Sequence, residues 1–391
     1  MRPLLLVSDC HLSPHRLDGT ADQLARLQRS FPDAELILNG DTWDLSCETS
    51  NRTPGQTLYE WLEQTPRLRA AFTARLRRGV PIRIVAGNHD WELVQSSALE
   101  GLRSVLGVTS SAPLEITPSW LRRGDIHIEH GHVFDADNAT SWSSGVEASR
   151  HQEPLGVALT RRFIAPNGAF AFAHAHEATP LRALSQAFLR FGPTTPRLVI
   201  RYYRTAIALC AQAAGLEQEH RNRAESSRDV ERVRAHASSG SSSPREDDLQ
   251  LKQLLPRPTH TSFRATLHRL YLDRSLAFAG SCLSLATLGA PGGVGLAARA
   301  CLAASAAYAA ASILRRGNRY KGHLEEALRE GAQALSSLTG AEQVVFGHTH
   351  TQERIGSYAN LGTFGIAAEG TRCWGRTDER GRLFLEQGAA D

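Results

Sequence analysis

Short apolar runs alternate with longer amphipathic stretches along the first part of the chain. Four of the apolar runs, at residues 4–8, 35–39, 81–86 and 125–129, predict buried strands. Helices are predicted between the early strands, over residues 21–30 and 58–78. Residues 343–346 repeat the strand pattern, and strand-like pieces follow through Ile355, Phe364 and residues 383–385. Strands that alternate with helices predict an α/β fold built in layers.

The stretch between these two segments, residues 141–340, has a mostly helical pattern and is interpreted as an insertion. Within it, residues 236–248 are rich in serine and charge, which is typical of a linker. Residues 276–314 carry one charged side chain, Arg299, and are interrupted by Gly-Ala-Pro-Gly-Gly, so we predict an apolar helical hairpin. The predicted organisation is a discontinuous core, residues 1–140 and 341–391, with an inserted helical cap.

Charge is distributed unevenly between these two parts. The insertion holds 25 Lys and Arg residues against 15 Asp and Glu residues, whereas the whole chain holds 44 and 40. The core is therefore left with 19 basic and 25 acidic residues. An acidic part suits cations, and a basic part suits anions or an anionic surface.

Cysteine spacing and the N-terminal pattern bear on the compartment. The six cysteines form neither a Cys-x-x-Cys pair nor a dense framework, so we interpret them as free thiols in a reducing compartment. The N-terminus leads directly into a strand pattern and lacks the regions of a signal peptide. We expect a cytoplasmic protein, or one bound peripherally to the inner face of the cytoplasmic membrane.

The apolar hairpin has two interpretations. It is either buried within a helical cap or inserted into a membrane, although each half is short or broken compared with the roughly 20 apolar residues of a full span. Four basic residues follow it directly, Arg315, Arg316, Arg319 and Lys321, and they are suited to anionic headgroups.

Residue types that bind metal ions follow the ends of the predicted strands. They are Asp9 and His11, then Asp41, then Asn88, His89 and Asp90, then His130 and His132, and last His348 and His350. Ligands at the carboxyl ends of strands lie in the crevice where open α/β sheets bind ligands. Glycines precede several of them and allow the backbone to approach a metal closely.

The chemistry of these residues indicates a class of metal. Carboxylates, imidazoles and one amide oxygen suit manganese, with iron or zinc as alternatives, better than they suit a magnesium-only site. The candidates are more than one ion needs, and one carboxylate that bridges two divalent ions would account for the excess. Two such ions, about 3.5–4 Å apart, clamp a phosphoryl group during in-line displacement. The sequence thus predicts hydrolysis at phosphorus.

The ordered motifs Asp-x-His, Gly-Asp, Gly-Asn-His-Asp, His-Gly-His and Gly-His-x-His resemble the calcineurin-like metallophosphoesterases. The resemblance covers residues 1–138 and 343–364, and it implies a layered β-sandwich flanked by helices. It also implies a ligand set, in which Asp9, His11 and His350 hold one metal, Asn88, His130 and His348 hold the other, and Asp41 bridges them.

The same resemblance implies that His89 is the catalytic histidine. It would be oriented by a carboxylate such as Asp90 or Asp44. As a cation it would protonate the leaving group or stabilise its charge. His132 and Asn360 are candidates for substrate contact, with packing and a turn as their respective alternatives.

Two further segments resemble one branch of the superfamily, the bacterial UDP-2,3-diacylglucosamine diphosphatases. They are His-Gly-His-Val-Phe-Asp at residues 130–135 and Tyr-Ala-Asn-Leu-Gly-Thr-Phe at residues 358–364. The likeness implies a phosphorylated lipid or sugar-nucleotide substrate. The alternatives are a soluble nucleotide phosphodiesterase or nuclease and a non-catalytic, membrane-associated scaffold. Nucleic acid is disfavoured as a partner because the basic excess lies in the insertion.

Overall fold

The computed structural model describes residues 2–14, 19–48, 51–139, 153–169, 180–234, 255–315, 323–365 and 371–389. The predicted linker at residues 236–248 lies outside these ranges. The chain divides into two compact units. The first contains Met1–Arg150, Ser243–Arg257 and Leu324–Asp391, and the second contains His151–Ser242 and Pro258–His323.

Two sheets lie in the first unit. The first sheet consists of β1 (Leu4–Val7), β2 (Glu35–Asn39), β3 (Ile82–Val85), β4 (Leu114–Thr117), β10 (Thr371–Thr377) and β11 (Leu383–Ala389), in the order β11-β10-β1-β2-β3-β4. The second consists of β5 (Trp120–Arg123), β6 (Ile126–Glu129), β7 (Gln343–Phe346), β8 (Gln352–Ile355) and β9 (Tyr358–Leu361), in the order β5-β6-β7-β9-β8. Strands β1 to β4 are parallel, and so are β6, β7 and β9. Each sheet therefore gathers several carboxyl ends along one edge.

The alternation of side chains along the strands creates a core between the sheets. Leu4 and Leu6 of β1 pack in one cluster with Ile126 and Ile128 of β6 and with Val345 of β7. The intervening residues of β1 face the other way, because neighbouring side chains on a strand point to opposite faces. They pack against the helices of the first unit. The result is the predicted α/β sandwich flanked by helices, and that prediction is confirmed.

Among the described residues of the first unit, five helices flank the sheets. They are α1 (Thr20–Ser30), α2 (Pro54–Glu63), α3 (Pro66–Arg77), α4 (Ser96–Leu106) and α11 (His323–Thr339). Helices α1 to α4 bury apolar faces against the first sheet, whereas α11 packs against Phe134, Val344 and Phe346 on the second. Both sheets therefore have their outer faces covered.

Two sequence predictions in the first unit were wrong. The single helix predicted over residues 58–78 is two helices, because Pro66 has no N–H to donate and disfavours a helical conformation at Thr65. Thr53 and Gln56 form a capping box at the start of α2, five residues before the predicted start. Phe364 lies after β9 and belongs to no strand.

The second unit is helical. Its helices are α5 (Leu155–Leu159), which continues through one π-helical turn (Thr160–Ile164), α6 (Pro180–Phe191), α7 (Thr195–Arg234), α8 (Phe263–Arg269), α9 (Leu272–Thr287) and α10 (Gly293–Arg315). Its main core joins α5, α7 and α8, with Leu155, Ala206, Leu209 and Leu270 among its members. Helices α9 and α10 form a hairpin at residues 272–315 and bury few large side chains.

Candidate metal centre

Ligand-type residues from both ends of the chain meet where the parallel strands of the two sheets end. Three groups of side chains hold their donor atoms within 4.8 Å of one another among the described residues. They are Asp9, His11 and His350, then Asp41, His130 and His348, and then His11, Asp44 and His89. Eight of the twelve predicted site residues therefore lie in these groups, and His11 belongs to two of them.

The donor atoms of the first group, Asp9, His11 and His350, face one another. The Nε2 atoms of His11 and His350 lie 3.3 Å apart, and Asp9 Oδ1 lies 3.2 Å from His350 Nε2. The other oxygen of Asp9 accepts a hydrogen bond from the backbone N–H of His348, at 3.0 Å. One oxygen of this carboxylate thus fixes the loop after β7, and the other faces the imidazoles.

Asp41 lies between the first and second groups. Its Oδ2 is 3.3 Å from His130 Nε2 and 3.9 Å from His11 Nε2, while its Oδ1 accepts a hydrogen bond from the backbone N–H of His89. The ring of His130 is oriented from behind, because its Nδ1 lies 3.0 Å from the carbonyl oxygen of Asn39. A ring whose Nδ1 is bound in this way presents Nε2 as a metal ligand. Asp41 is therefore placed to bridge two ions.

A chain of hydrogen bonds orients the remaining two predicted ligands. Asp135 Oδ2 lies 3.0 Å from His348 Nε2, which leaves Nδ1 of that ring for a metal. Asp135 also accepts from the side-chain amide of Asn138, and Asn138 in turn accepts from the amide nitrogen of Asn88. The side-chain carbonyl oxygen of Asn88, Oδ1, is buried and makes no hydrogen bond within the described residues. An unpaired buried carbonyl beside carboxylates and imidazoles is expected of a metal ligand.

The backbone of the site is held in an unusual conformation. Six non-glycine residues among those described have positive φ, and five of them are predicted ligands: Asp9, His11, Asp41, His348 and His350. Their φ values lie between 46° and 71°. L-residues adopt this region at a cost of about 1–2 kcal/mol each, and such strain clusters at functional sites. The surrounding fold must therefore stabilise a conformation that these residues do not prefer.

Two glycines show how little room the site leaves for additional atoms. Gly40 has a φ of +79°, and a Cβ there would collide with the ring of His130. A Cβ at Gly347 would collide with Ser8 and lie 2.5 Å from Asp9 Oδ2. Together with the donor set and the Asn88 carbonyl, these close approaches fit a pair of divalent cations.

His89 lies at the edge of the first group. Its Nδ1 is 3.0 Å from Asp44 Oδ1 and 2.8 Å from Ser46 Oγ, and its ring centre is 5.0 Å from that of His11. Burial works to lower the pKa of His89, but the charges of Asp44 and Asp41 outweigh it and raise the pKa to about 9. Of the two carboxylates proposed to orient this ring, Asp44 is the one that contacts it.

Asp90 is placed differently from the sequence expectation. Its two oxygens accept hydrogen bonds from four backbone N–H groups, those of Asp41, Thr42, Trp43 and Gly87. Its carboxylate thereby ties the loop after β2 to the loop after β3. Asp90 therefore shapes the backbone beneath Asp41, and no hydrogen bond joins it to the ring of His89 in the described structure.

The two candidates for substrate contact are both buried. His132 lies with its ring centre 5.4 Å from that of His130 and 6.5 Å from that of His348. Burial and the neighbouring histidines hold its pKa well below the ordinary value. Asn360 donates to the carbonyl of Gly347 and to Tyr358 Oη, and it accepts from the N–H of Gly362. These bonds favour the turn role for Asn360.

The buried carboxylates of Asp9 and Asp41 are held in the charged form that binds cations. Burial works to raise the pKa of Asp9, but His130 and His350 lower it to about 2. Burial also opposes ionisation of Asp41, yet His130 and His89 hold its pKa well below the ordinary value. Burial lowers the pKa of His11 to about 3, so its ring is neutral, the form that binds metals.

Residues 2–193 match the family model of the calcineurin-like phosphoesterases. These residues make up just under half of the chain, and members of the family they resemble typically bind divalent metals. The match ends before His348 and His350, which the structure brings close to Asp41 and Asp9 respectively. No curated protein matches the chain significantly.

The residues that orient the candidate ligands were not predicted from the sequence. Asp135, Asn138, Ser46 and Ser8 all lie within a few residues of a motif, and each contacts a candidate site residue through its side chain. Asp135 stood within the His-Gly-His-Val-Phe-Asp segment, and a carboxylate close to a ligand histidine was the available signal.

Proposed function

We propose that the chain is a hydrolase of phosphodiester or diphosphate bonds that depends on two divalent metal ions. The observation that carries the proposal is the position of Asp41, whose Oδ2 faces His130 in one group and His11 in the other. A single carboxylate shared by two sets of donors is the arrangement that a two-metal centre requires.

The proposed ligands are the members of the first two groups together with Asn88. Asp9, His11 and His350 would hold one ion, Asn88, His130 and His348 would hold the other, and Asp41 would be shared between them. When bound, the two ions supply an activated water and balance the charge on the phosphoryl oxygens. Manganese is the favoured metal, with iron or zinc as alternatives, because the donors are carboxylates, imidazoles and one amide oxygen.

The chain's own contribution to proton transfer is assigned to His89. Asp44 and Ser46 engage its Nδ1, which leaves Nε2 to carry a proton toward the leaving oxygen. Asp44 stabilises the cationic ring and fixes its orientation, and its own pKa lies well below the ordinary value because His89 outweighs the effect of burial. His89 is therefore a general acid in this proposal.

The substrate class is proposed to be a diphosphate or phosphodiester with a lipid or sugar-nucleotide leaving group. Support comes from the segments at residues 130–135 and 358–364, which resemble those of UDP-2,3-diacylglucosamine diphosphatases. It also comes from the second unit, whose helices expose many large apolar side chains. A lipid substrate and an apolar surface on the same chain are chemically consistent.

Metal-dependent turnover of bis-p-nitrophenyl phosphate tests the reaction. We expect the metal-free protein to be inactive and Mn²⁺ to restore activity. Asp41→Ala should lose turnover by roughly a thousandfold or more while circular dichroism remains unchanged, because it removes the shared ligand. Turnover that is unaffected by Asp41→Ala, or that needs no metal, would refute the proposal and leave a scaffold as the alternative.

A substrate panel tests the finer proposal separately. Sugar nucleotides that carry acyl chains, lipid diphosphates, cyclic nucleotides and single-stranded DNA would be compared by kcat/KM in the presence of Mn²⁺. We expect the acylated diphosphates to exceed the cyclic nucleotides and DNA by at least tenfold. The reverse order would assign the chain to the nucleotide phosphodiesterases or nucleases without affecting the metal centre.

A further inference from the structure

The helical hairpin of the second unit exposes its large apolar side chains and buries small ones, which is the opposite of what is expected for a water-soluble helix pair. Its large apolar side chains point outward: Leu276, Phe278, Leu283, Leu285, Val294, Leu296 and Leu314 are 57–85% exposed. Small residues lie between the two helices instead, among them Ser284 and Ala298, which are buried. In water, a helix pair buries its large apolar residues.

Small residues let the two helices approach closely. A Cβ on Gly280 of α9 would lie 3.2 Å from Ser305 Oγ and 3.9 Å from Cys301 Sγ of α10. Close contact through glycine, alanine and serine is typical of helices that associate within lipid, where burial of apolar groups gives no driving force between them. The packing of the hairpin is thus typical of helices that are surrounded by lipid.

The length and composition of α10 also indicate a lipid environment. Among the described residues, one helix is long and apolar enough to cross a membrane, over Gly293–Ser312, and 11% of its most apolar window is buried. The 23 residues of α10 extend about 34 Å, compared with a hydrocarbon thickness of about 30 Å. A core helix of the same composition would be mostly buried, so burial within the protein does not explain this one.

Polar groups are concentrated at the base of the hairpin, where α9 begins and α10 ends. Asp273 accepts a hydrogen bond from Tyr308 Oη, and Arg274 donates to the side chain and carbonyl of Ser312. The tip, residues 288–292, carries no charge. Arg299 lies within two turns of the tip, so its long side chain could extend to the far headgroups.

We propose that the hairpin formed by α9 and α10 inserts into a phospholipid bilayer, with its base at an anionic headgroup surface. Arg315, Arg316, Arg319 and Lys321, which end α10 and follow it in the sequence, supply the complementary positive charge. Lipid is favoured over a second copy of the chain because the outward apolar residues surround both helices, whereas a protein interface would cover one face. The inference does not depend on the proposed hydrolysis.

Two native cysteines in the hairpin report on insertion. Cys282 and Cys301 are exposed, whereas Cys10, Cys47, Cys210 and Cys373 are buried. Burial also raises the pKa of Cys210 to about 11, which makes its thiolate scarce at neutral pH. A membrane-impermeant maleimide should therefore modify Cys282 and Cys301 in dilute, detergent-free protein. Vesicles that contain phosphatidylglycerol should slow both reactions by at least tenfold and should carry the protein upward in a flotation gradient.

Paired variants separate the hairpin from apolar surface in general. Leu283→Glu combined with Leu296→Glu places charge at positions that are 68% and 70% exposed, so the fold should tolerate it, and flotation should fall at least tenfold. Ile355→Glu on β8, at 53% exposure in the first unit, is the matched control and should float like the wild type. Turnover of the soluble p-nitrophenyl substrate should be unchanged in both.

Three results would overturn the proposal. They are failure of the wild type to float, continued reaction of Cys282 and Cys301 on vesicles, and flotation of the double glutamate variant. Protection of the two thiols in concentrated, lipid-free protein, together with a doubled mass in light scattering, would instead assign the surface to self-association.

Discussion

The carboxylate of Asp135 and the imidazole Nε2 of His348 lie 3.0 Å apart, although 213 positions separate them in the chain. The contact joins the turn after β6 to the turn after β7, and those two strands pair in parallel. It also fixes which nitrogen of His348 remains for a metal. Asp135 is thus placed to orient His348 toward the proposed second ion.

Asp135→Asn is expected to weaken metal binding rather than folding. An amide keeps the shape of the carboxylate but stabilises the imidazole less, and loss of such a partner typically costs 10–100-fold in metal affinity. Calorimetric titration with Mn²⁺ should show one weakened site and one unchanged site. Asp125→Asn, at an exposed turn, is the control. Equal affinities at both sites in Asp135→Asn would contradict the role.

His89→Asn should lower kcat by about 10²–10⁴ while both metal ions remain bound, because the ring donates a proton rather than a ligand atom. Asp44→Asn should have a smaller effect in the same direction, since it removes the partner at Nδ1. Steady-state kinetics and metal analysis of the same samples check both expectations. His323→Asn, at an exposed position, serves as the control. Loss of a metal ion from His89→Asn would reassign His89 as a ligand.

A comparison of Gly40→Ala with Gly79→Ala distinguishes the free-energy cost of backbone strain from the cost of a steric collision. Both glycines have positive φ, +79° and +68°, but a Cβ at Gly79 meets nothing within 4 Å whereas one at Gly40 meets the His130 ring. We expect Gly79→Ala to lose about 1–2 kcal/mol of unfolding free energy. Gly40→Ala should lose that amount and a further 1–3 kcal/mol from overpacking, together with metal affinity. Urea denaturation measures both, and equal losses would disprove the collision.

Removal of metal should destabilise the first unit. Asp9 and Asp41 are 0% and 1% exposed, so their charges have little access to water, and cations that bind the folded state raise its stability by mass action. We expect Mn²⁺ to bind in a ratio of two per chain and to raise Tm, and EDTA to reverse the change. His130→Ala should reduce the ratio to one. An unchanged Tm on addition of Mn²⁺ would contradict the metal centre.

The strands that position the site could be predicted from the sequence because their residues are buried on both faces. Such strands appear as continuous apolar runs, and those at residues 35–39 and 343–346 have the predicted bounds. The candidate ligands could be located because they lie within a few residues of the ends of those runs. Local sequence therefore determined both the place and the type of these residues.

The orienting contacts could not be predicted in the same way. Asn88 and Asn138 are 50 positions apart, and Asp44 and His89 are 45 apart, so their pairing depends on the topology of the sheets. The positive φ values of Asp9, His11 and Asp41 also arise from the tertiary structure, because no local signal places non-glycine residues there. The roles of Asp44 and Asp90 could be distinguished only in three dimensions.

The parallel pairing of β6 with β7 has a consequence for biosynthesis. Asp9, Asp41 and His130 are translated early. Their partners His348 and His350 emerge only after the helical unit has been translated. Until then a nascent chain holds an incomplete set of donors and buried acidic groups without their counterparts. The set of donor groups around Asp9 and Asp41 is therefore complete only in a chain that has been translated beyond the helical unit.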